Sequence, residues 1–421
     1  VLTHLKGLKS APQSPIAVDV ACWQGEAVCA VVARSRAEAE DGCELVEVTY
    51  EALPAVTDPE TALDGKTPVI HAALGDNLCF ERKLEVGAVD KAFAEADAVV
   101  ETTFLFGRHT GVTTEPRAVV ADWNAGEQRM TVYHGTQAPH MMQNLFAKHL
   151  GLAEHQVRVI TKDVGGSFGI KVHTYADEMA TVALSKLLKR PVKFVADRIE
   201  SFVTDIHARD HRIKARIGVS KDGIITAFEI DDLTGIGPYS VYPRTSGIEA
   251  NQIVNLTGGP YTCPNYRAQA KVVFQNKNVM CQYRAVGHPI AVAVTEGLVE
   301  LAAAKIGMDP LEIRRRNLIA DDAYPCTSAA GLKFEKLSHH ESLAHLDSMM
   351  NYAGLRAEQK ALRAKGVYRG IGFASFIEVT NPSAAFYGVG GARITSQDGA
   401  TVKLDAQGAL IIHSGVTEQG Q

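Results

Sequence analysis

Gly165, Gly166 and Gly169 form the run G-G-S-F-G directly after the β-branched stretch V-R-V-I-T-K-D-V. Glycines let a backbone approach a ligand closely, and main-chain N–H groups leading toward a helix start suit an anion. The spacing is not G-x-G-x-x-G, and no Gly-Lys-Ser/Thr follows, so neither a nicotinamide dinucleotide nor ATP is the natural occupant. A tight structural turn accounts for the run equally well. Two further segments share its character. Y-H-G-T-Q-A-P-H sets Gln137 between a strand pattern and a helix start, where an uncharged carboxamide can donate and accept. C-Q-Y-R-A-V-G-H-P sets Arg284, Ala285 and Val286 in a turn before a long helix pattern. Singly, Gln137 reads as a turn residue and Arg284 as a partner for a carboxylate or a helix end. Together, loops that each enter a helix can converge on one ligand from several directions.

Other constellations are weaker. His207 and His211 are four residues apart, but their segment leads into a strand pattern, which favours a structural role over a metal site. His339 and His340 are adjacent and lack partners. No H-E-x-x-H and no G-x-S-x-G occurs, so neither a zinc protease nor a serine hydrolase is supported. Arg314, Arg315 and Arg316 fall at the end of a helix pattern, where cations complement the dipole, and read as a solvated end.

The elements that must position these loops follow from periodicity. Residues 27–32 and 46–50 read as strands around a helix capped by Ser35 and Glu38. Residues 86–106 read as helix then strand, 116–135 as two strands around a turn at Asn124 to Glu127, and 138–151 as a helix closed by Gly151. The helix after the glycine run places Ala176, Met179, Ala180, Ala183, Leu184 and Leu187 on one face and ends at Pro191. Two long strands flank Lys221-Asp222-Gly223. Asp309 and Pro310 open a helix after the long one that ends near Gly307. A helix is expected near 341–364, with strands near 370–379, 401–406 and 409–415. The fold class is α+β.

The 421 residues carry a net charge of −5 and are 46% hydrophobic, as in an ordinary globular protein of two or three domains. The acidic balance argues against nucleic acid as a partner. No apolar run reaches the roughly 20 residues of a membrane span. The seven cysteines are scattered without C-x-x-C, which suits buried thiols in a reducing, cytoplasmic setting and not an iron–sulfur cluster on this chain. Val1 and the abrupt end after H-S-G-V-T-E-Q-G-Q lead us to expect a piece of a longer polypeptide.

G-G-S-F-G, T-Q-A-P-H, R-P-V-K-F-V-A-D-R-I-E-S-F, G-P-Y-T-C-P-N-Y-R-A-Q-A, Q-Y-R-A-V-G-H-P, E-L-A-A-A-K-I-G-M-D-P-L-E-I-R-R-R-N-L-I and S-G-V-T-E-Q-G-Q are all present. As a set, this resembles the molybdenum-binding large subunit of the xanthine dehydrogenase family. That family includes aldehyde oxidoreductases, aerobic carbon monoxide dehydrogenases and bacterial N-heterocycle hydroxylases. The resemblance implies a partial α/β hammerhead domain over 1–75, a first molybdenum-cofactor-binding domain over 76–325 and the start of a second over 326–421. It implies that Gln137 hydrogen-bonds an oxo ligand of molybdenum. Gly165, Gly166, Phe168 and Gly169 would wrap the metal and pterin, Arg284 and Ala285 would line the metal from another side, and Gly420 and Gln421 would bind pterin and phosphate. No protein side chain is expected to ligate the metal.

The implied cofactor is molybdopterin cytosine dinucleotide. The implied reaction is oxidative hydroxylation with water as the oxygen source, with electrons leaving through a [2Fe–2S] subunit and an FAD subunit of a heterotrimer. Departures from the family pattern narrow the substrate. Val172 stands where purine-oxidising members carry glutamate. Ala285, not cysteine, follows Arg284, which disfavours carbon monoxide. Val286 takes an aromatic position of the purine enzymes. With Val172 it suggests a roomier apolar pocket for an aldehyde or a neutral N-heterocycle, which Gln252 would also face. The family's general-base glutamate lies downstream of Gln421, so this chain alone is expected to be inactive. The rival expectation is a non-catalytic cofactor-binding or assembly chain completed by a second polypeptide.

Overall fold

Strands and helices alternate through most of the chain, in a computed structural model that describes residues 5–242, 244–379, 386, 388–391 and 398–420. After α1 (Arg36–Glu44) come β1 (Leu78–Val86), α2 (Val89–Ala94), β2 (Ala98–His109), β3 (Ala118–Asn124) and β4 (Arg129–His134). Then follow α3 (Pro139–Leu150), β5 (Val157–Ile160), α4 (Ala176–Leu188), β6 (Val192–Val195), α5 (Arg198–Thr204), β7 (Ala208–Val219) and β8 (Ile225–Ile236). The next elements are α6 (Ile248–Leu256), β9 (Tyr266–Phe274), α7 (His288–Ile306), α8 (Pro310–Asn317), β10 (Cys326–Thr327) and β11 (Lys333–Phe334). The described chain closes with α9 (His339–Met350), α10 (Tyr352–Arg363), β12 (Ala400–Leu404) and β13 (Leu410–Ser414).

Two mixed sheets carry the architecture. The larger has the order β1-β9-β8-β7-β2, antiparallel except for the parallel β8/β9 pair. Ile213, Ile217 and Phe228 of this sheet share a core with Val294, Leu298 and Val299 of α7. Gly297 lets α7 approach β2, since a Cβ there would lie 2.9 Å from the Phe104 ring. The smaller sheet has the order β5-β4-β3-β6, with Met130, Val132 and Val157 packed against Met142 and Phe146 of α3 and Val182 of α4. Its β4/β5 pair is parallel, joined through α3. In such a crossover both strands leave the sheet at the same end, so the loops after β4 and β5 must emerge side by side.

Several expectations need correction. The segments around α1 do not form strands among the described residues. Val46, Val48 and Tyr50 are exposed, and alternation becomes a strand only where a neighbour supplies the hydrogen-bond ladder. The Ser35/Glu38 capping box itself is present. The glycine run does not open into α4. A short 3-10 turn over Ile170–Val172 intervenes, and α4 begins at Ala176. The buried side of α4 is Glu178, Ala180, Thr181, Val182 and Ser185, while Leu187 is exposed, because polar partners inside outrank the apolar period. This helix ends at a left-handed Lys189, before Pro191. The helix expected near 341–364 is two, broken by left-handed Asn351, and residues 370–379 contain no strand. Arg314 is fully buried between Glu296 and Glu300, unlike the exposed Arg315 and Arg316 beside it.

Candidate functional site

The loop after β4 carries Gln137, and the loop after β5 carries the glycine run. The backbone straps them together: the Gln137 N–H donates to the Lys171 carbonyl at 3.1 Å, and the Thr136 hydroxyl donates to the same oxygen at 2.8 Å. The Gln137 side chain completes the join. Its Oε1 accepts the Gly169 N–H at 2.9 Å and the Ser167 hydroxyl. Its Nε2 makes a long contact of 3.4 Å with Gln419 Oε1. The carboxamide oxygen is thus committed to the loop, and the nitrogen is the end with donor capacity to spare.

Two distant segments close on the same loop. The Ser167 N–H donates to the Gln419 carbonyl at 2.9 Å, and a Cβ on Gly420 would lie 2.9 Å from Gly166 Cα. On the other side the Arg284 N–H donates to the Phe168 carbonyl at 2.8 Å. A Cβ on Gly169 would meet Gln282 O at 3.2 Å and Tyr283 Cα at 3.3 Å. Gly166, Gly169 and Gly420 have φ of 101°, 102° and 87°, where only glycine sits without strain. Phe168 holds φ 53°, and Ala285 and Val286 hold 71° and 30°.

A carboxylate oxygen reveals the electrostatic character of this cradle. Glu418 Oε1 accepts the N–H groups of Gln419 and Gly420 at 3.0 and 2.8 Å, so adjacent amides converge on one anionic oxygen. Behind the loop, Glu115 accepts the Gly165 N–H at 2.8 Å and the buried Lys171 ammonium at 2.6 Å. Deeper still, buried Arg117 pairs with Asp177 and Asp205 at 2.6 Å each and lies over the Tyr175 ring. Burial opposes its charge, but Asp177 and Glu178 more than reverse this and raise it above the ordinary arginine value. His173, three residues from Ile170, is pushed down to about 3 by burial, with Arg244 adding to the effect.

Gln137, Gly165, Gly166, Phe168, Gly169, Arg284 and Gly420 therefore meet in one region, with Ala285 in the turn beside them. Gln421 lies outside the described residues. Val172 is buried in the 3-10 turn after the loop, and Val286 is half-buried in the turn after Arg284. Gln252 is fully buried behind that turn, where its Oε1 accepts from Asn255 at 2.8 Å. Sequence reasoning did not single out Glu115, Lys171, Arg117, Arg209 or Glu249. Nothing local marks them, because each acts through a partner dozens of residues away. His207 and His211 have structural partners, Phe202 O and Asp232 respectively.

Residues 70–318 and 345–421 match two family models, each described as a molybdopterin cofactor-binding domain. The nicotine 6-hydroxylase large subunit of Paenarthrobacter nicotinovorans is 33% identical over 99% of this chain and 51% of its own length. The carbon monoxide dehydrogenase large chain of Hydrogenophaga pseudoflava is 29% identical over 99% of this chain and 55% of its own length. The quinoline 2-oxidoreductase structure from Pseudomonas putida 86 superposes with a TM-score of 0.94 at 31% identity, covering 99% of this chain and 53% of that one. The chain spans about half the length of the curated relatives it matches.

Proposed function

Because the chain belongs to the molybdopterin cofactor-binding domain family, that of the molybdenum hydroxylase large subunits, we propose that it is part of an enzyme that hydroxylates an N-heterocycle or an aldehyde. Water is the oxygen source. The cofactor is the cytosine dinucleotide form of molybdopterin, and electrons leave to a [2Fe–2S] subunit and an FAD subunit. Two matched relatives are named for nicotine and quinoline, which favours the N-heterocycle.

The observation that carries this reading is the convergence of Gln137, the 165–169 loop, Arg284 and the 419–420 segment. The residues fit such a group: glycine positions that a Cβ would fill, amides aimed at an anion, and an uncharged carboxamide. When bound, the molybdenum–pterin group supplies the two-electron redox chemistry. Gln137 Nε2 would donate to an oxygen of that group without adding charge, while Oε1 keeps the loop in register. The N–H groups of Gln419 and Gly420, which donate to the Glu418 carboxylate here, would hold phosphate or pterin oxygens of that group. Val172 and Val286 line the substrate side with apolar surface. Gln252, buried behind the turn, would face the same pocket.

The test is metal and nucleotide analysis of the complex purified from its own host. Stoichiometric molybdenum and release of CMP on acid hydrolysis are expected. Gln137→Glu keeps an acceptor for the loop and removes the N–H donor. Turnover should fall on the order of 100-fold, with pterin content much less affected. Wild-type protein without molybdenum would sink the reading; equal loss of pterin and turnover would make Gln137 a structural residue.

A further inference from the structure

The 284–287 turn is the most strained part of the site. Ala285, Val286 and Gly287 have φ of 71°, 30° and 81° in succession. A β-branched residue with positive φ is a true outlier and persists only where its surroundings over-determine it. The clamp lies behind the turn, in a buried set of charges. Glu249 on α6 accepts the Gly287 N–H at 3.3 Å and the Arg209 N–H at 3.1 Å, and it pairs with the Arg209 guanidinium. Arg209 Nη2 then donates to the Arg284 carbonyl at 2.8 Å. His211 Nε2 stands 3.4 Å from Glu249 Oε2, and its Nδ1 faces Asp232 at 2.9 Å.

All four side chains are buried: Arg209 is 6% exposed, Glu249 1%, and His211 and Asp232 0%. Arg209 itself has φ 67° and Asp210 φ 73°, an irregularity of β7 beside this network. A Cβ on Gly287 would lie 2.9 Å from the Glu249 carbonyl, so α6 and the turn touch through main chain as well. Burying an ion pair is costly unless its geometry is good and its other hydrogen bonds are met. Here every contact that meets them leads to one end or the other of residues 284–287, or to the sheet that anchors them.

We propose that Glu249 is a positioning residue. Acting through Arg209 on the Arg284 carbonyl, and directly on the Gly287 amide, it holds the turn in the left-handed geometry that brings the Arg284 N–H onto Phe168 O. Its consequence for turnover rests on the proposed molybdenum chemistry; its hold on the turn does not.

The experiment compares Glu249→Gln, which keeps the shape and removes the charge, with Glu249→Asp, which keeps the charge on a shorter arm. Amide hydrogen exchange of the 283–288 segment, molybdenum content and steady-state kinetics are read on the purified complex. In Glu249→Gln, protection of 283–288 should be lost while β7 and β8 stay protected. Turnover per bound molybdenum should fall about 10- to 100-fold, with KM changed much less, and Glu249→Asp should restore part of both. Wild-type exchange in 283–288 of Glu249→Gln overturns the proposal, as does an unchanged turnover per molybdenum. If Glu249→Gln does not fold, Glu249→Asp decides alone: loss of protection confined to 283–288 supports the proposal, and none overturns it. Wild-type complex without molybdenum would defeat the functional reading, while the exchange comparison would still decide what Glu249 holds.

Discussion

Gly169→Ala is the sharpest test of how the loops meet. Gly169 has φ 102° and ψ −16°, outside the range an L side chain adopts comfortably. Forcing alanine there costs about 1–3 kcal/mol. The new methyl group would also sit 3.2 Å from Gln282 O and 3.3 Å from Tyr283 Cα. Both are main-chain atoms and cannot swing aside. The loop and the 282–284 segment must part by a few tenths of an ångström, which weakens the 2.8 Å bond from Arg284 N–H to Phe168 O. A typical hydrogen bond of this kind contributes about 1 kcal/mol. The sum is roughly 2–4 kcal/mol against the assembled site, or on the order of 30- to 1,000-fold in its population. Gly151→Ala is the matched control. Gly151 has φ 65°, yet nothing lies within 4 Å of its Cβ direction. That variant should lose about 1 kcal/mol of stability and keep its cofactor. The assay is pterin and molybdenum per chain beside chemical unfolding. Equal cofactor content in the two variants would refute the claim that close approach at Gly169 builds the site.

Arg117→Met should destabilise the fold by about 3–5 kcal/mol, because it strands buried carboxylates of Asp205 and Glu178 without their cation; a change below about 1 kcal/mol in urea unfolding would show that the network is dispensable. His173 should shape the acid limb of stability. Its folded value is about 3 against an ordinary 6.5, so between those pH values the unfolded chain binds the extra proton and stability falls as pH drops. At pH 5 the loss is about 2 kcal/mol, and His173→Asn should flatten the limb by that amount. Parallel acid limbs for the two proteins would count against burial as the cause.

Elements with local signals were legible. The Ser35/Glu38 box, the Asp309-Pro310 start, the Gly151 stop and the Lys-Asp-Gly turn each fix a boundary through neighbouring atoms, and each appears at its expected place. Helix α6 was missed because all nine of its residues are buried, with Glu249, Asn251, Gln252 and Asn255 interrupting any apolar stripe. Arg314 reads locally as a solvated helix end for a different reason: what decides its burial is Glu296 on another helix. The individual loops of the site were visible as motifs. Their meeting is not readable from spacing, since the bond from Ser167 N–H to the Gln419 carbonyl joins the middle of the described chain to its last residues.

Backbone strain gives an independent reason to regard this region as functional. Among the described residues, nine non-glycine positions have positive φ. Gln128, Lys189 and Asn351 sit at a hairpin turn or a helix end, where such geometry is ordinary. The other six are Val112, Phe168, Arg209, Asp210, Ala285 and Val286. Val112 follows Gly111, whose Cβ direction points at Ile170 and Tyr283. Of the remaining five, Phe168 is in the loop, Ala285 and Val286 are in the turn, Arg209 is in the charged clamp behind it and Asp210 is the next residue of β7. Two of the six are valines, among the residues least tolerant of this conformation. A fold free to relax would have placed glycine or asparagine at those positions. Strain that is retained, concentrated and braced by buried charges has to be offset by something the strained geometry provides. Here that is the close contact of the 284–287 turn, the 419–420 segment and Gln137 with the 165–169 loop.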